Sequence, residues 1–424
     1  MTMFQSMEQC TDFIFRLKAS EYKGEPLQSA RIILSALGNP ERKTKFIHFA
    51  GSNGKGSTLN ATREILMAHH LKVGAFISPH LERPNERITI NKLQISDKDF
   101  LRIMNVIADV VNNQLKGKFP SFFEIMTLIA LQYFSEQKLD VALLETGIGG
   151  RLDSTNVITP EVSVITTISL EHTDMLGTTY AQIAAEKAGI IKTGKPVVIG
   201  VKNREALAVI QAVAEEKNAK SYVLDKQFFT QKTGTTSFSY NGDLTIEQLE
   251  LAMVGQHQVS NAALAITASK LFLHTLNIQH VKEALKRAKW DGRFERVGDN
   301  IILDGAHNSE GTSALIETLQ LVEPDKKYKF VYAALQDKDH AVSIQLMDNV
   351  AYQMYFTQID LPRAAKPKDL CEQSKHEIKS AHDNWKRLID KQMNELSEDE
   401  LLIITGSLYF IAEVRGEFIK KGLI

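Results

Sequence analysis

The chain has 424 residues, of which 43% are hydrophobic and 24% are charged, an ordinary composition for a folded protein. It excludes a disordered, collagen-like or coiled-coil chain, and the length predicts two to three domains of about 150 residues each. The 50 basic and 51 acidic residues give a net charge of -1, so we expect no nucleic-acid partner. Cys10 and Cys371 are too few for a disulfide framework. Neither a leader peptide nor a membrane-spanning apolar run is recognisable, so we expect a cytoplasmic protein without membrane attachment.

Short apolar runs alternate with helical patterns through the first two thirds of the chain. The predicted strands are residues 46–49, 73–77, 141–144, 162–168 and 196–201. The predicted helices between them are residues 57–70, 97–115, 122–137 and 180–191. This alternation predicts a parallel sheet with helices on both faces. Two hairpins, with turns at Asn91-Lys92 and Asn241-Gly242, are expected to extend the edge of this core.

A second α/β series begins near Asn300. Its predicted strands are residues 301–303, 330–335, 354–358 and 401–404, and residues 311–322 form its first helix. The charged stretch 371–400 is interpreted as a solvated helix face, and a partner-binding role is the alternative. We therefore predict an α/β protein whose first domain, residues 1–293, contains a mainly parallel sheet. A smaller Rossmann-like α/β domain is predicted in residues 294–424.

The strongest motif lies between the first predicted strand and helix, where residues 51–58 read GSNGKGST. Small residues let successive N–H groups point at one anion, and the helix N-terminus adds its positive dipole end. Lys55 can neutralise phosphate oxygens, and the hydroxyl of Ser57 or Thr58 can bind phosphate or Mg²⁺. The general pattern G-x-x-x-x-G-K-[ST] is not matched, because Gly56 separates Lys55 from Ser57. A glycine-rich turn without a ligand is the alternative.

Acidic and imidazole side chains follow two predicted strands further along the chain. Glu145 ends one strand, at the sheet edge where ligands bind in open α/β folds, and can hold Mg²⁺ beside the phosphate loop. The alternative for Glu145 is a structural cap of the following loop. His172 follows the next strand and can ligate a metal, although a lone His is more often structural. Lys187, taken alone, is interpreted as a surface lysine.

Two further polar clusters follow predicted strands, at residues 78–83 (SPHLER) and 304–308 (DGAHN). His307 and Asn308 are interpreted either as caps of the next helix or as part of a cleft between the two domains. From the residues alone, the sequence predicts an Mg-nucleotide enzyme with its site between two α/β domains. The acceptor of the reaction is not readable from these motifs.

Taken together and in order, these motifs resemble the Mur ligase superfamily, and within it the folylpolyglutamate synthase/dihydrofolate synthase family. The resemblance covers nearly the whole chain. Its landmarks are GSNGKGS at 51–57, SPHL at 78–81, FFE at 122–124, LETGIGGRLD at 144–153, EHT at 171–173, EKAG at 186–189, HQVSNA at 257–262, GRFE at 292–295 and DGAHN at 304–308. Ser52 stands where this family often has Thr, and both residues carry a hydroxyl.

The resemblance implies a Mur-ligase-like ATPase domain followed by a Rossmann-like domain. It implies that ATP phosphorylates a folate carboxylate, and that the amino group of L-glutamate then displaces phosphate from the acyl phosphate. The small-molecule partners it implies are L-glutamate and a reduced folate or dihydropteroate, and which of these two acceptors is used stays open. A monomer is the expected state of the chain.

The resemblance also implies roles for individual residues. The ATP ligands would be Gly54, Lys55, Gly56, Ser57, Asn261, Arg293 and Asp304. Mg²⁺, with two sites expected, would be held by Ser78, Glu145 and His172. Lys187 matches a lysine that is carbamylated in this family and helps to hold a second Mg²⁺, and His307 joins Lys55 and Lys187 as a catalytic residue. The pterin-binding residues would be Ser121, Phe122, Phe123, Glu124, Leu152, Asp153 and Ser154.

Two alternatives compete with a folate ligase. A cell-wall Mur ligase shares the ATP site and the acyl-phosphate mechanism, but it normally has an additional N-terminal domain, whereas only 50 residues precede Gly51 here. A non-catalytic ATP-binding switch needs no second metal site, so the expected grouping of Glu145, His172 and Lys187 argues against it.

Overall fold

The computed structural model describes residues 3–17, 19–336 and 340–424. The chain divides into two compact units. Unit 1 consists of Met1–Gln231, Phe238–Glu250 and Ser260–Ala288. Unit 2 consists of Lys232–Ser237, Leu251–Val259 and Lys289–Ile424. The expected α/β class with mainly parallel sheets is confirmed, whereas the domain boundary at residues 293/294 stays a prediction.

The main sheet of unit 1 has eight strands. They are β1 (Phe46–Ala50), β2 (Val73–Phe76), β3 (Ile88–Ile90), β4 (Leu93–Gln94), β5 (Val141–Glu145), β6 (Val162–Ile165), β7 (Val197–Ile199) and β8 (Ser221–Val223). Their spatial order is β4-β3-β2-β5-β1-β6-β7-β8. All neighbours from β2 to β8 are parallel, and β3 and β4 form the predicted antiparallel hairpin at the edge.

Ten helices accompany this part of the chain in the described residues. They are α1 (Met7–Arg16), α2 (Gln28–Ala36), α3 (Lys55–Ala68), α4 (Asp97–Gln114), α5 (Phe122–Glu136), α6 (Thr173–Leu176), α7 (Tyr180–Ala188), α8 (Arg204–Glu216), α9 (Gln256–Leu273) and α10 (Ile278–Arg287). Helices on both faces of a parallel sheet bury its central strands, and every residue of β1 and β5 is buried. That burial explains why these strands appear in the sequence as continuous apolar runs.

The position of β1 determines where a ligand can bind. In the sheet β1 lies between β5 and β6, and neither of these strands follows β1 directly in the sequence. The chain runs from β1 to strands on one side of it, and the connection from β5 to β6 then crosses to the other side. In open α/β sheets, the crevice outside the carboxyl ends of the strands at such a point is the usual ligand site. The loops that follow β1, β5 and β6 carry the motifs singled out in the sequence.

The second predicted hairpin is present, but its expected position was wrong. Strands β10 (Ser237–Asn241) and β11 (Thr245–Glu250) pair as predicted, and β9 (Phe229–Lys232) joins them in a separate three-stranded sheet, in the order β11-β10-β9. The hairpin therefore does not extend the edge of the main sheet. Strand β9 was missed because its sequence, FTQK, has three polar residues in four and no apolar alternation.

Unit 2 contains a six-stranded sheet. Its strands are β12 (Glu295–Val297), β13 (Ile301–Leu303), β14 (Lys327–Tyr332), β15 (Ala351–Phe356), β16 (Lys379–Ala381) and β17 (Glu400–Thr405), in the order β12-β13-β17-β14-β15-β16. Among these described strands, only β12 pairs antiparallel with its neighbour. The helices of this unit are α11 (Ser309–Val322), α12 (Ala341–Asp348), α13 (Pro367–Gln373), α14 (Trp385–Asn394) and α15 (Leu408–Lys420).

The interpretation of residues 371–400 as one solvated helix face was wrong. The short strand β16 lies between α13 and α14 and pairs with β15 as the edge of the sheet. A three-residue edge strand of sequence KSA carries no apolar pattern, because backbone pairing rather than side-chain burial holds it. Helix α14 is amphipathic and buries Trp385, Leu388 and Ile389.

Candidate functional site

The phosphate-loop candidate folds as the first turn before α3. Gly54 is the residue before the helix and has φ 84°, and Gly51 has φ 147°, both in the region that favours glycine. A Cβ on Gly54 would lie 2.4 Å from Oδ1 of Asn261, and a Cβ on Gly51 would lie 1.9 Å from Oγ1 of Thr166. The glycines therefore let the backbone pass close to α9 and to the end of β6. This packing also places Asn261 against the loop, and its assignment as an ATP ligand stays a prediction.

Hydrogen bonds to the segment after β6 hold the loop in place. The Asn53 N–H donates to Oγ1 of Thr167 at 2.9 Å, and the Thr166 hydroxyl donates to the Asn53 carbonyl at 2.6 Å. The Ser169 N–H donates to the hydroxyl of Ser52 at 2.9 Å. A loop fixed in this way keeps its N–H groups in one orientation before a ligand arrives, which lowers the entropic cost of binding.

Lys55 lies on the same loop and points back to it. Its Nζ donates to the Gly51 carbonyl at 2.7 Å and to the Ser52 carbonyl at 3.3 Å. The ammonium group is therefore held beside the loop, where an anion cradled by the N–H groups would meet it. Gly56 and Ser57 continue the first turn of α3, and Ser57 is buried.

Ser78 and Glu145, predicted from separate motifs, are brought together. Strands β2 and β5 are parallel neighbours, so the residues that follow them meet at one edge of the sheet. The Ser78 N–H donates to Oε2 of Glu145 at 3.1 Å, and Glu145 is only 4% exposed. A carboxylate and a serine hydroxyl carry oxygen ligands of the kind that Mg²⁺ prefers.

The described residues contain no group of three or more His, Cys, Asp and Glu side chains that could hold a metal. This does not conflict with an Mg²⁺ site, because Mg²⁺ is typically bound by one or two carboxylates and completes its shell with water and substrate phosphates. His172 lies just after Glu171, half-buried and with φ 47°, and precedes the short helix α6. Its assignment as a metal ligand stays a prediction.

The interpretation of Lys187 as a surface lysine was wrong. Lys187 is 2% exposed, because α7 presents it to the interior of unit 1, and its Nζ lies 2.9 Å from Oε1 of Glu171. Burial lowers the pKa of Lys187, against the opposing effect of the Glu171 carboxylate. Burial would raise the pKa of Glu171, but the Lys187 and Lys55 ammonium groups outweigh it and lower this pKa to about 2. The carboxylate of Glu171 is therefore ionised at neutral pH.

Glu171 is a functional candidate that the residue-by-residue reasoning missed. It also accepts a hydrogen bond from the hydroxyl of Ser52, so it joins the phosphate loop to Lys187. Only His172 was assigned a role in this motif. The sequence signal that could have identified Glu171 was its position directly before His172, the expected metal ligand.

The predicted pterin-binding residues fall into two groups with different surroundings. Ser121 is the N-cap of α5 and forms a capping box with Glu124, whose Oε1 also accepts from the Ser29 hydroxyl at 2.9 Å. These side chains are therefore engaged with each other and with α2. Phe122 and Phe123 follow the cap, and Phe123 packs directly on Gly147.

Within residues 152–154, only the first side chain points outward. Leu152 is 48% exposed, whereas Asp153 and Ser154 are buried. Asp153 accepts from the N–H groups of Gly147 and Ile148 at 2.8 and 3.0 Å. The carboxylate therefore holds the loop after β5 in shape, and its pKa is raised by burial against these hydrogen bonds.

His80, two residues after Ser78, belongs to the segment after β2. Its Nδ1 accepts a hydrogen bond from Nε of Arg87 at 2.7 Å. Burial, together with the Arg87 charge, lowers the pKa of His80 to about 3, so the ring is neutral at neutral pH. Sequence reasoning placed this segment near the site but gave His80 no role.

Unit 2 has its own polar cluster at the carboxyl end of β13. The Asp304 carboxylate accepts from the N–H groups of Phe294 and Ala306, each at 2.8 Å, and so joins the segment before β12 to the loop after β13. Burial raises the pKa of Asp304, and the Arg293 guanidinium opposes this shift. Arg293 lies close to Gly305, since a Cβ there would be 2.6 Å from its Nη1.

His307 and Asn308 separate into two roles. The Asn308 side chain accepts from the Gly311 N–H and caps α11, so the capping interpretation is confirmed for this residue. His307 instead lies with Nδ1 3.0 Å from the Gly305 carbonyl. A carbonyl accepts only, so Nδ1 is a protonated nitrogen that donates in this contact.

Known proteins match this chain over nearly its whole length. The model of the Mur ligase middle domain matches residues 49–269, and that of the Mur ligase glutamate ligase domain matches residues 292–408. The dihydrofolate synthase/folylpolyglutamate synthase of Bacillus subtilis is 37% identical over 97% of this chain and 99% of its own length. The folylpolyglutamate synthase of Lacticaseibacillus casei is 35% identical over 90% of this chain and 92% of its own.

Solved structures give the same result. The Escherichia coli FolC structure in complex with DHPP and ADP superposes with a TM-score of 0.91, at 27% identity, over 99% of both chains. The Thermotoga maritima folylpolyglutamate synthase structure has a TM-score of 0.84 at 34% identity, over 98% of this chain and 97% of its own. In the described residues, no helix has the length and apolar character to cross a membrane. The chain belongs to the Mur ligase family and is an ATP-dependent ligase of the dihydrofolate synthase/folylpolyglutamate synthase type.

Proposed function

We propose that this chain joins L-glutamate to the carboxylate of a folate through an acyl phosphate. The observation that carries the proposal is the grouping of the phosphate loop, the Ser78–Glu145 pair and the Glu171–Lys187 pair at one sheet edge of unit 1. The names of the matching relatives support the folate as acceptor.

The first step activates the carboxylate. One of its oxygens attacks the γ-phosphorus of ATP, the bond to the β-phosphate oxygen breaks, and ADP leaves. In this step the N–H groups of the loop and the Lys55 ammonium bind and orient the phosphates. Bound Mg²⁺ supplies neutralisation of the phosphate charge, and Ser78, Glu145 and His172 would hold it.

The second step forms the amide. The glutamate nitrogen attacks the acyl carbon, phosphate leaves, and the nitrogen loses a proton. We propose that Nε2 of His307 takes this proton, since its other nitrogen is committed to the Gly305 carbonyl. We also propose that Arg293, Asp304 and Asn261 contact ATP, which the position of Asn261 beside Gly54 supports.

We further propose that Lys187 becomes carbamylated and helps to hold a second Mg²⁺. In this step the neutral Nζ attacks the carbon of carbon dioxide and loses a proton. The deep burial of Lys187 supports the proposal, because burial lowers its pKa and so favours the neutral amine. A carbamate would place a second anion next to Glu171, and a cation between them would offset the repulsion. Incubating the protein with ¹³C-labelled bicarbonate should give a carbamate carbon signal that is lost in Lys187→Arg and retained in Lys195→Arg. A signal that persists in Lys187→Arg would contradict the assignment.

The activity is tested by measuring phosphate release from MgATP with L-glutamate and one acceptor at a time. The acceptors are dihydropteroate, a reduced folate and a UDP-muramoyl compound. Release with both pteroyl acceptors supports both reactions, and release with the reduced folate alone limits the chain to folylpolyglutamate synthesis. Release only with the UDP-muramoyl acceptor would point to a cell-wall ligase, and ATP binding without any turnover would point to a switch.

We propose that the protein works as a monomer in the cytoplasm, where ATP and reduced folates are available to it. Light scattering behind a sizing column tests the oligomeric state, since a monomer has the chain mass of 47.5 kDa. A mass of twice that value would contradict the monomer.

A further inference from the structure

The last helix of the chain packs against the segment that leads into β12. Leu408, Ile411 and Arg415 are spaced by three and four residues, so they lie on one face of α15. A Cβ on Gly292, before β12, would lie 3.2 Å from Cγ2 of Ile411. A Cβ on Gly305, after β13, would lie 2.3 Å from Cδ2 of Leu408. The two glycines therefore bring the backbone at both ends of the β12–β13 pair into close contact with α15.

Arg415 joins this helix to residues 292–295, which we call the GRFE turn. Its Nε–H donates to the carboxylate of Glu295, with 2.8 Å to Oε2 and 3.0 Å to Oε1, and its Nη2 lies 3.2 Å from Oδ2 of Asp291. Arg415 is 8% exposed, so these bonds form largely away from water. The donors of a guanidinium have a fixed planar geometry, so they set the orientation of a carboxylate as well as its distance. Arg415 therefore fixes Glu295 relative to α15.

Glu295 passes this restraint on to the backbone of the turn. Its Oε2 also accepts from the Gly292 N–H at 2.7 Å, and the Gly292 carbonyl accepts from the Gly305 N–H at 2.9 Å. Phe294 has φ 45°, in the left-handed region that a residue with a bulky side chain rarely adopts. Such a conformation persists where the surrounding contacts enforce it. The bond from the Phe294 N–H to Asp304 and the bonds of Glu295 supply these contacts on the two sides of Phe294.

Arg293 lies in the middle of this restrained turn. Its neighbours in sequence, Gly292 and Phe294, are the residues whose N–H groups are held by carboxylates. The direction of the Arg293 side chain follows from their backbone angles, and its Nη1 lies close to Gly305. A change in the support of the turn therefore moves the guanidinium of Arg293.

We propose that Arg415 is a positioning residue for ATP, because it holds the GRFE turn in the conformation that presents Arg293 to the nucleotide. This inference rests on the proposed function, in which Arg293 contacts ATP. Arg415 lies 120 residues after Glu295, in a part of the chain where the sequence showed none of the recognised motifs.

The test measures the affinity for a non-hydrolysable ATP analogue with Mg²⁺ by isothermal titration calorimetry. Arg415→Lys keeps the positive charge but replaces the planar set of donors with one ammonium group. It should raise the Kd about threefold to tenfold, because the loosened turn must then be ordered when the nucleotide binds. Arg415→Met, which also loses the charge, should weaken binding at least as much. Glu295→Gln breaks the same contact from the other side and should have a similar effect.

A double variant shows whether Arg415 acts through Arg293. Arg293→Ala should weaken binding of the analogue by itself. The double variant Arg293→Ala/Arg415→Lys should bind no more weakly than Arg293→Ala, since the residue that Arg415 positions is already absent. Two effects that multiply in the double variant would overturn the positioning role.

Lys329→Met controls for a general loss of stability in unit 2. Lys329 is 6% exposed, and its Nζ donates to Oε2 of Glu400 at 2.7 Å, so this variant also breaks a buried ion pair of the same unit. Thermal unfolding should show a lower Tm, whereas the Kd for the analogue should stay within about twofold of that of the original chain. An increase in Kd equal to that of Arg415→Lys would show that loosening of unit 2 alone weakens binding, which would overturn the proposal.

Kinetics of phosphate release should agree with the binding data. Arg415→Lys should raise KM for ATP by the factor found for the Kd and retain KM for glutamate. Glu295→Gln keeps the size of its side chain, so it tests the same contact even where Arg415→Met does not fold. An unchanged Kd in both Arg415→Lys and Glu295→Gln would contradict the proposal.

The positioning role and the proposed function fail in different ways. If the original chain turns over pteroyl substrates and the Arg415 variants bind the analogue equally well, only the positioning role is wrong. If no pteroyl compound is turned over but the variants weaken binding as expected, the acceptor is wrong and the positioning role stands. If the original chain does not bind the analogue, both are wrong.

Discussion

The buried pair of Lys187 and Glu171 shows how single side chains organise the site. A paired buried charge becomes costly when its partner is removed, because the remaining charge has lost its water and its counter-ion. With Lys187 uncarbamylated, in protein prepared without bicarbonate, we expect Glu171→Gln to destabilise the protein by about 3 kcal/mol. The double variant Glu171→Gln/Lys187→Met should be less destabilised than the single one. Urea unfolding measures both, and equal losses in the two variants would show that the charges do not interact.

The same pair predicts a pH dependence. The pKa of Glu171 in the folded protein is about 2, below its ordinary value, so its stabilising effect is complete above that ordinary value. It is lost as the pH falls through the folded-state pKa, between about pH 4.5 and 2. Stability curves against pH should therefore converge for the original chain and Glu171→Gln at low pH. A constant difference down to pH 2 would contradict the assigned shift.

Lys55 is expected to matter for chemistry and not for folding. Its ammonium bonds only to loop carbonyls in the described structure, so Lys55→Ala removes little packing. Loss of a positioned charge at a transferring phosphoryl group costs about 100-fold or more in turnover. Phosphate release measures the effect, with Lys98→Ala on α4 as an exposed control. Near-normal release by Lys55→Ala would remove the phosphate-loop assignment.

At the scale of elements, the loop after β5 depends on one carboxylate. Asp153 accepts four hydrogen bonds, from the N–H groups of Gly147, Ile148 and Thr155 and from the Thr155 hydroxyl. Asn has one acceptor oxygen, so Asp153→Asn leaves buried donors without partners and should cost about 2 kcal/mol. The exposed Asp109→Asn on α4 should change stability by less than about 0.5 kcal/mol. Thermal unfolding checks both, and an equal, small effect would contradict the role of Asp153.

The elements themselves were largely predictable, and the exceptions have a common cause. Strands β1 and β5 are buried on both faces, so their apolar runs were visible in the sequence. Strands β9 and β16 are polar or short, and they are held by backbone pairing that leaves no side-chain pattern. Pairing with a distant strand is a tertiary property, and local patterns do not contain it.

The contacts within the site were predictable to the same extent: local patterns indicated the residues, but not which distant residues they contact. The resemblance named Ser78 and Glu145, and the parallel neighbours β2 and β5 explain why they meet. The burial of Lys187 and its pairing with Glu171 were not predictable, because α7 has no strong apolar stripe that would indicate its inner face. Local sequence therefore indicated the chemistry, whereas the partners of each group needed the fold.

At the scale of the whole molecule, the two compact units predict how the protein unfolds. Each has its own buried sheet and its own apolar core, with Leu143 fully buried in β5 of unit 1 and Leu402 fully buried in β17 of unit 2. Chains with more than one such core commonly unfold in more than one step. We therefore expect two calorimetric transitions, each of which reports one unit.

Two matched core substitutions assign those transitions. A buried Leu→Ala change costs about 2–5 kcal/mol, because it removes buried surface and leaves a cavity. Leu143→Ala should lower the Tm of one transition and Leu402→Ala that of the other, each leaving its counterpart in place. A phosphate-loop ligand should then raise the transition that Leu143→Ala lowers, since binding to the native state adds RT ln(1 + [L]/Kd) to its stability. A single transition that moves as a whole with both substitutions would show that the units unfold cooperatively.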